Sequence, residues 1–166
     1  LGAILHYSFA QNPYATIREE VDMVKSFVAI QKTRYQGRIE FEVIASGDLE
    51  RYYTPRMILQ PLVENAISYG AEPYLEVCRI TVVVREEAEN IVMIVQDTGA
   101  GMTPEELEAV RNSAYKAKGH GIGLKNIRER LEMDDSRGTF RIDSETGKGT
   151  RVEIHIQKRT EVEDHV

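Results

Sequence analysis

The sequence predicts an α+β domain: a two-layer α/β sandwich in which helices cover one face of a mixed, mostly antiparallel sheet. Two patterns predict this class. Segments that alternate apolar and polar residues, as half-buried strands do, come mostly in neighbouring pairs joined by short loops. Segments with apolar residues at helical spacing separate these pairs. The length of 166 residues suits one domain with a substantial hydrophobic core.

The N-terminal half predicts a helix, a strand and a second helix. Residues 16–19 (Thr-Ile-Arg-Glu) form a capping box at a helix start, and Gly37 is a plausible stop for that helix. Residues 39–43 alternate as a half-buried strand does. The Thr-Pro pair at 54–55 predicts the N-cap and first position of the second helix, which Gly70 would end.

The C-terminal half predicts two hairpins and two further helices. Its elements are strands at 80–84 and 91–95 joined by a short loop, a glycine-rich turn at 97–101, a capped helix start at 103–106, a polar loop at 111–120, a helix from 121, and a final hairpin around 146–149.

Composition excludes several classes of protein. The chain is 42% hydrophobic and 29% charged, as soluble globular proteins are, and no stretch approaches the roughly 18 apolar residues that span a bilayer. A single cysteine, Cys78, excludes an internal disulfide framework and a Cys-rich zinc site. A net charge of −6 argues against a general nucleic-acid binder. A cytosolic domain is the expectation.

Asn65 is the first residue that indicates chemistry. With Glu64 beside it, Asn65 interrupts an apolar helix, although asparagine is a poor residue for a helix interior. Its side-chain oxygen could join the octahedral oxygen shell of Mg²⁺, which keeps several waters and phosphate oxygens. An exposed polar helix face is the alternative explanation.

A second motif, Asp97-Thr98-Gly99-Ala100-Gly101, follows a predicted strand. A carboxylate at a strand end can accept a hydrogen bond from the exocyclic amine of a purine. Gly99 and Gly101 would let the backbone turn and let a ligand approach closely. Taken alone, such a loop is also common as a plain turn.

A third motif, Gly-His-Gly-Ile-Gly-Leu at 119–124, runs into a helix. Glycine amides at a helix N-terminus can bind an anion. The motif does not follow a βα unit, which argues against a dinucleotide-binding fingerprint, and it lacks the Gly-Lys-Ser/Thr of a P-loop. Together the three motifs describe a magnesium–nucleotide site.

The same residues resemble the conserved boxes of sensor histidine kinases. Residues 59–67 (Leu-Gln-Pro-Leu-Val-Glu-Asn-Ala-Ile) look like the N box, 97–101 the G1 box, 119–124 the G2 box, and 149–150 the later Gly-Thr. The combination is similar to the Bergerat ATP-binding fold that gyrase, Hsp90 and MutL share. The strings at 29–35, 59–66 and 119–131 resemble the LytS/YesM-like branch.

This resemblance implies a role for each matched residue. Asn65 would coordinate Mg²⁺, Asp97 would bind the adenine amine, and Glu64 could position or polarise the attacking group, with a solvated carboxylate as the alternative. The segment from about 103 to 120 would be the ATP lid. The other implied nucleotide contacts are Gly99, Gly101, Met102, Gly119, Gly121, Ile122, Gly123, Leu124 and Thr150.

The resemblance implies the ATP-binding catalytic domain of a two-component sensor histidine kinase, with ATP and Mg²⁺ as its substrate and cofactor. Such an enzyme transfers the γ-phosphoryl to a histidine and then to an aspartate on the receiver domain of a response regulator. His6 does not match the phosphoacceptor motif, so that histidine is expected to be absent from this chain.

The domain organisation expected from the resemblance has three parts. Residues 1–13 would be the truncated end of a dimerisation helix, 14–160 the ATP-binding domain and 161–166 a polar tail. The parent would be a homodimeric membrane-bound receptor with this domain in the cytoplasm.

Two other functions remain open from the sequence. A conformational ATPase of the gyrase or MutL type has the same boxes, but its general base typically lies four residues before the asparagine, where this chain has Pro61. An interaction domain with a decayed site is the second. The net charge does not exclude a nucleotide, because residues 111–130 hold six basic residues and one acidic residue.

Overall fold

The structure, a computed structural model, describes residues 12–112, 122–134 and 137–160. Within these ranges the elements are, in order, β1 (Tyr14–Thr16), α1 (Ile17–Arg34), β2 (Ile39–Ser46), β3 (Tyr53–Pro55), α2 (Leu59–Asn65), β4 (Cys78–Glu86), β5 (Asn90–Asp97), α3 (Pro104–Arg111), α4 (Ile122–Met133), β6 (Thr139–Glu145) and β7 (Gly149–Gln157). Helix α2 continues directly into a π-helical turn, Ala66–Ala71.

The main sheet has five strands in the order β2-β4-β5-β7-β6. Strand β2 runs parallel to β4, whereas the other neighbouring strands of this sheet are antiparallel. Strands β1 and β3 form a separate antiparallel pair. The predicted mixed, mostly antiparallel sheet is therefore confirmed.

The core lies between one face of this sheet and the helices. The strand register places Val82, Val95 and Val152 side by side on that face. Buried helical residues join them in one cluster, among them Val24 of α1, Leu62 of α2 and Ile127 of α4. The other face carries exposed ion pairs such as Arg79–Glu40, so the predicted two-layer arrangement is confirmed.

Both predicted capping boxes are present. The Thr16 hydroxyl accepts from the Glu19 amide at 3.1 Å, and the Glu19 carboxylate accepts from the Thr16 amide at 2.8 Å. The same reciprocal pair joins Thr103 and Glu106 at the start of α3. These interactions involve residues three apart, so local sequence is enough to predict them.

The helix start predicted at residues 54–55 is wrong. Thr54 and Pro55 lie in β3, where they pair with Ala15 and Tyr14 of β1. Helix α2 begins only at Leu59, after a turn in which Met57 has a φ of 59°. Strand pairing with a distant segment overrides the local preference of a Thr-Pro pair for a helix start.

Three other boundaries differ slightly from the predictions. Gly70 does not end its helix but lies inside the π-helical turn, which runs to Ala71. Helix α1 ends at Arg34, and Gly37 lies in the turn that follows with a φ of 73°. Arg111, predicted as the start of a loop, is the last residue of α3.

Several expectations concern residues outside the described ranges. They include residues 1–11 of the helix end at 1–13, the tail at 161–166 and residues 113–120 of the lid predicted at about 103–120. In the part of the chain that the structure does describe, none of the helices combines the length and apolar character needed to cross a membrane.

Candidate functional site

Asp97 is a buried carboxyl group at the C-terminal end of the central strand β5. The residue is 3% exposed, and its Oδ1 accepts from the Gly99 amide at 2.9 Å. Burial raises its pKa to about 6, although hydrogen bonds from the Gly99 and Thr150 amides act in the opposite direction. At neutral pH the group is mostly an ionised acceptor in a water-poor setting, which suits recognition of a donor such as an amine.

Two glycines let the π-helical turn reach Asp97. A Cβ atom at Gly70 would lie 2.5 Å from Asp97 Oδ1, and one at Gly99 would lie 2.0 Å from the Gly70 carbonyl oxygen. The Ala100 amide also donates to that Gly70 oxygen at 2.9 Å. Gly99 was predicted to allow a close approach, whereas Gly70 was not predicted as a site residue.

The β6–β7 hairpin holds the other side of the loop at 97–101. Gly101 and Gly149 both have positive φ, of 64° and 93°. A Cβ atom at Gly101 would lie 2.0 Å from the Glu145 carbonyl oxygen, and one at Gly149 would lie 1.9 Å from the Asp97 carbonyl oxygen. These contacts therefore require residues without a side chain.

A hydroxyl pair connects Thr150 to Met102. Ser144 Oγ accepts from the Met102 amide at 2.9 Å and lies 2.8 Å from Thr150 Oγ1. Both Met102 and Thr150 are buried. The structure thus brings the predicted residues Asp97, Met102 and Thr150 together, and it adds Ser144, whose role depends on a partner 42 residues away.

Asn65 occupies the junction between α2 and the π-helical turn. Its side chain is half-buried, and π-helical turns occur frequently at functional sites. The π-helical turn that starts after Asn65 contains Gly70, which packs against the Asp97 carboxylate. An amide oxygen there fits a magnesium ion, which needs few protein ligands when phosphates and waters supply the rest.

Metal-ligating side chains also occur elsewhere among the described residues of the fold. Across the described residues there is no group of three or more His, Cys, Asp or Glu side chains that could hold a metal ion.

Glu64 points into a different part of the surface. Its carboxylate is exposed and accepts from Gln60 Nε2 at 3.1 Å, while the buried Oε1 of Gln60 has no partner among the described residues. Glu64 lines a groove of about 420 Å³ between α1 and the π-helical turn, with Phe27 and Arg34 among the other lining residues. Asp97 is not among the residues that line this groove.

The third motif is only partly described. Leu124 is buried in the core at 2% exposure, so its backbone rather than its side chain could contact a ligand. Gly123 has open space where a Cβ atom would be. Ile122 begins α4, whereas Gly119 and Gly121 lie outside the described residues.

A cavity of about 530 Å³ between α4 and β6 holds none of the residues predicted to bind the nucleotide. Arg111, Arg128 and Phe140 are among its lining residues. Both arginines donate to backbone carbonyls, Arg111 to Ile142 and Arg128 to residue 111. Both arginines therefore hold backbone segments together at the edge of this cavity.

Comparison with protein families matches residues 52–160 to the model of histidine kinase-, DNA gyrase B- and HSP90-like ATPases. The sensor histidine kinase YesM of Bacillus subtilis (strain 168) is 36% identical over 164 residues, covering 98% of this chain and 27% of YesM. The sensor protein LytS of the same organism is 28% identical over 153 residues, covering 90% of this chain and 26% of LytS. The chain thus spans about a quarter of the length of these relatives.

Solved structures show the same fold. A nucleotide-free form of the catalytic domain of histidine kinase ThkA superposes with a TM-score of 0.68 at 18% identity, covering 87% of this chain and 96% of that one. The mycobacterial sensor histidine kinase MprB gives a TM-score of 0.62 at 20% identity, covering 89% and 98% of the two chains.

Proposed function

The chain belongs to the histidine kinase-, DNA gyrase B- and HSP90-like ATPase family, and we propose that it acts as the ATP-binding catalytic domain of a two-component sensor histidine kinase. The observation that carries this proposal is the setting of the Asp97 carboxylate. A buried carboxylate is surrounded by glycines that let three separate backbone segments meet around it. That arrangement suits an adenine ring whose amine donates to the carboxylate.

Each predicted residue has a part in this proposal. Asp97 binds the adenine amine, while Gly99, Gly101, Met102 and Thr150 shape the adenine pocket. Asn65, at the end of the helix that continues into the turn with Gly70, would hold Mg²⁺. The backbone amides of the motif at residues 119–124, which includes Gly123 and Leu124, contact the phosphates. When bound, Mg²⁺ neutralises charge on the transferred phosphoryl group and the leaving ADP.

The reaction is a phosphoryl transfer. The bond between the γ-phosphorus and its bridging oxygen breaks and ADP leaves, while a phosphorus–nitrogen bond forms to the unprotonated nitrogen of a neutral imidazole. The proton on the other imidazole nitrogen is then released to water. The domain contributes position and charge rather than covalent chemistry. Glu64, beside Asn65 and facing the groove along α1, would position the incoming imidazole.

The partners follow from the same proposal. The phosphoacceptor histidine would come from the dimerisation domain of the parent protein, which would be a homodimeric membrane receptor with this domain in the cytoplasm. The phosphoryl group would then pass to the receiver domain of a response regulator. A conformational ATPase of the gyrase or MutL type is less suited, since Pro61 occupies the position of its general base.

Nucleotide selectivity tests the proposal directly. Titration calorimetry with Mg-ATP and Mg-GTP is expected to show binding of ATP alone, because guanine presents a carbonyl oxygen where adenine presents its amine. With γ-labelled ATP the chain by itself is expected to remain unlabelled, and acid-labile label is expected on the phosphoacceptor segment of the parent supplied in trans. Equal affinity for ATP and GTP would contradict the assignment of Asp97.

A further inference from the structure

Glu20 is a buried carboxylate on α1 that caps another helix. It is 2% exposed, and its two oxygens accept from the amides of Met57 at 2.7 Å, Ile58 at 3.0 Å and Leu59 at 3.0 Å. These amides begin α2, whose N-cap residue provides no side-chain hydrogen bond of its own. The first amides of a helix have no partner within the helix, so α1 supplies the acceptor that α2 lacks.

The turn before α2 is held from a second side by α4. Arg130 donates to the carbonyl oxygens of Arg56 and, at 3.0 Å, Met57. Met57 has a φ of 59°, which residues other than glycine rarely adopt. A turn in this conformation needs surrounding contacts to keep it there. Its amides are held by Glu20 and its carbonyls by Arg130.

The position of α2 matters for the nucleotide site. Helix α2 is seven residues long and ends at Asn65. A rigid helix of that length carries a displacement of its first residue to its last. Helix α4, which holds the other side of the turn through Arg130, begins in the motif proposed to bind the phosphates. The turn at 56–58 therefore connects α1 with Asn65 at the end of α2, and with the proposed phosphate-binding motif at the start of α4.

We propose that Glu20 is a positioning residue that fixes the orientation of Asn65 by capping α2 from α1. The inference rests on the proposed function, because it assigns Asn65 to the metal ion of the nucleotide. Helix α1 precedes the residues that the family model matches, 52–160. Glu20 would nevertheless make α1 part of the nucleotide site, so that a movement of α1 alters how the metal ion is held.

Glu20→Gln tests this role, because it keeps the side-chain volume but replaces one acceptor oxygen with a donor that opposes the α2 amides. ATP affinity is measured by calorimetry with Mg²⁺ and with a chelator. The expected result is a roughly 10-fold loss of the magnesium-dependent gain in affinity, typical for residues that orient a metal ligand. Metal-free affinity should stay close to the wild-type value, since Asp97 is untouched.

Asp22→Asn is the matched control. Asp22 is exposed on the same helix, and the substitution removes the same charge. Arg130→Lys is a second variant, which keeps its charge but cannot reproduce a guanidinium that donates to two carbonyls. It should reduce the same magnesium-dependent gain. Two results in Glu20→Gln would overturn the proposal. One is an equal loss of ATP affinity with Mg²⁺ and with chelator, which would mean general destabilisation. The other is an unchanged ATP affinity under both conditions.

Hydrogen exchange without nucleotide separates this proposal from the proposed function. The amides of Met57, Ile58 and Leu59 and the Asn65 side-chain resonance are followed by NMR in wild type and Glu20→Gln. Faster exchange and a shifted Asn65 signal are expected. If the wild-type protein binds no nucleotide, the proposed function is wrong. If the Asn65 signal in Glu20→Gln is the same as in wild type, the positioning role of Glu20 is wrong, whatever the result for nucleotide binding.

Discussion

The Cα atom of Gly70 lies against the carboxylate of Asp97, so closely that a Cβ atom there would be 2.5 Å from Oδ1. The contact joins the π-helical turn after Asn65 to the end of the central strand β5. It places the proposed metal ligand and the proposed adenine acceptor on two elements that touch each other. Small changes at residue 70 should therefore affect nucleotide binding more than folding.

Gly70→Ala is expected to weaken ATP binding by roughly 10- to 100-fold, because a displacement of about 1 Å in a binding group has effects of that size. The added methyl group would displace the Asp97 carboxylate. Calorimetry measures the affinity, and circular dichroism checks that the fold persists. Ser68→Ala is the control, since Ser68 is exposed in the same turn. ATP affinity equal in Gly70→Ala and wild type would show that Asp97 is not the acceptor.

Gly99→Ala is expected to lower the free energy of unfolding by roughly 1–3 kcal/mol, the usual cost of overpacking. Its Cβ atom would be 2.0 Å from the Gly70 carbonyl oxygen, which belongs to the backbone and cannot rotate away. Urea denaturation measures the change. Gly123→Ala provides the comparison, because a Cβ atom there meets no atom within 4 Å and its φ is not in the left-handed region. A loss in Gly99→Ala no larger than in Gly123→Ala would contradict the packing argument.

Stability should depend on pH through Asp97. Its folded pKa is raised to about 6 from an ordinary 3.8, so between these values the folded state keeps a proton that the unfolded state releases. The stabilisation of the folded state by the extra proton on Asp97 is fully present below pH 3.8 and is lost as the pH rises through 6. Its size is of the order of 3 kcal/mol.

Asp97→Asn isolates that contribution from other titrating groups. Urea denaturation of both proteins between about pH 4 and 7 gives the difference in unfolding free energy, which should change in favour of Asp97→Asn as the pH rises. The variant should also lose most of its ATP affinity at neutral pH, because an amide presents a donor toward the adenine amine. If the difference in unfolding free energy between wild type and Asp97→Asn does not change with pH in this range, the pKa of Asp97 is not raised.

Asn65→Ala is expected to make nucleotide binding independent of magnesium. The substitution removes the proposed oxygen ligand but leaves Asp97 and its glycines in place. Calorimetry with Mg-ATP and with ATP plus chelator should then give equal affinities. Asn90→Ala at the opposite end of β5 is the control. If Asn65→Ala keeps the wild-type response to magnesium, another group holds the metal ion.

Local chemistry was enough to predict several elements from the sequence. The capping boxes at Thr16 and Thr103 depend on residues three apart, and the alternating strands depend on the period of the backbone. The order of the motifs was enough to indicate the family. In each case the interacting groups are neighbours in sequence, or the signal is a pattern that a short segment carries by itself.

Long-range contacts decided the rest. Residues 54–55 form a strand because Tyr14 and Ala15 lie beside them, and α2 starts where Glu20 accepts its amides from 37 to 39 residues away. Gly70 and Ser144 became site residues only through Asp97 and Met102. The sequence by itself indicated Asn65, Asp97 and the glycine motifs as candidate site residues. The tertiary structure decided which of them touch, because close approach and burial depend on backbone segments that are distant along the chain.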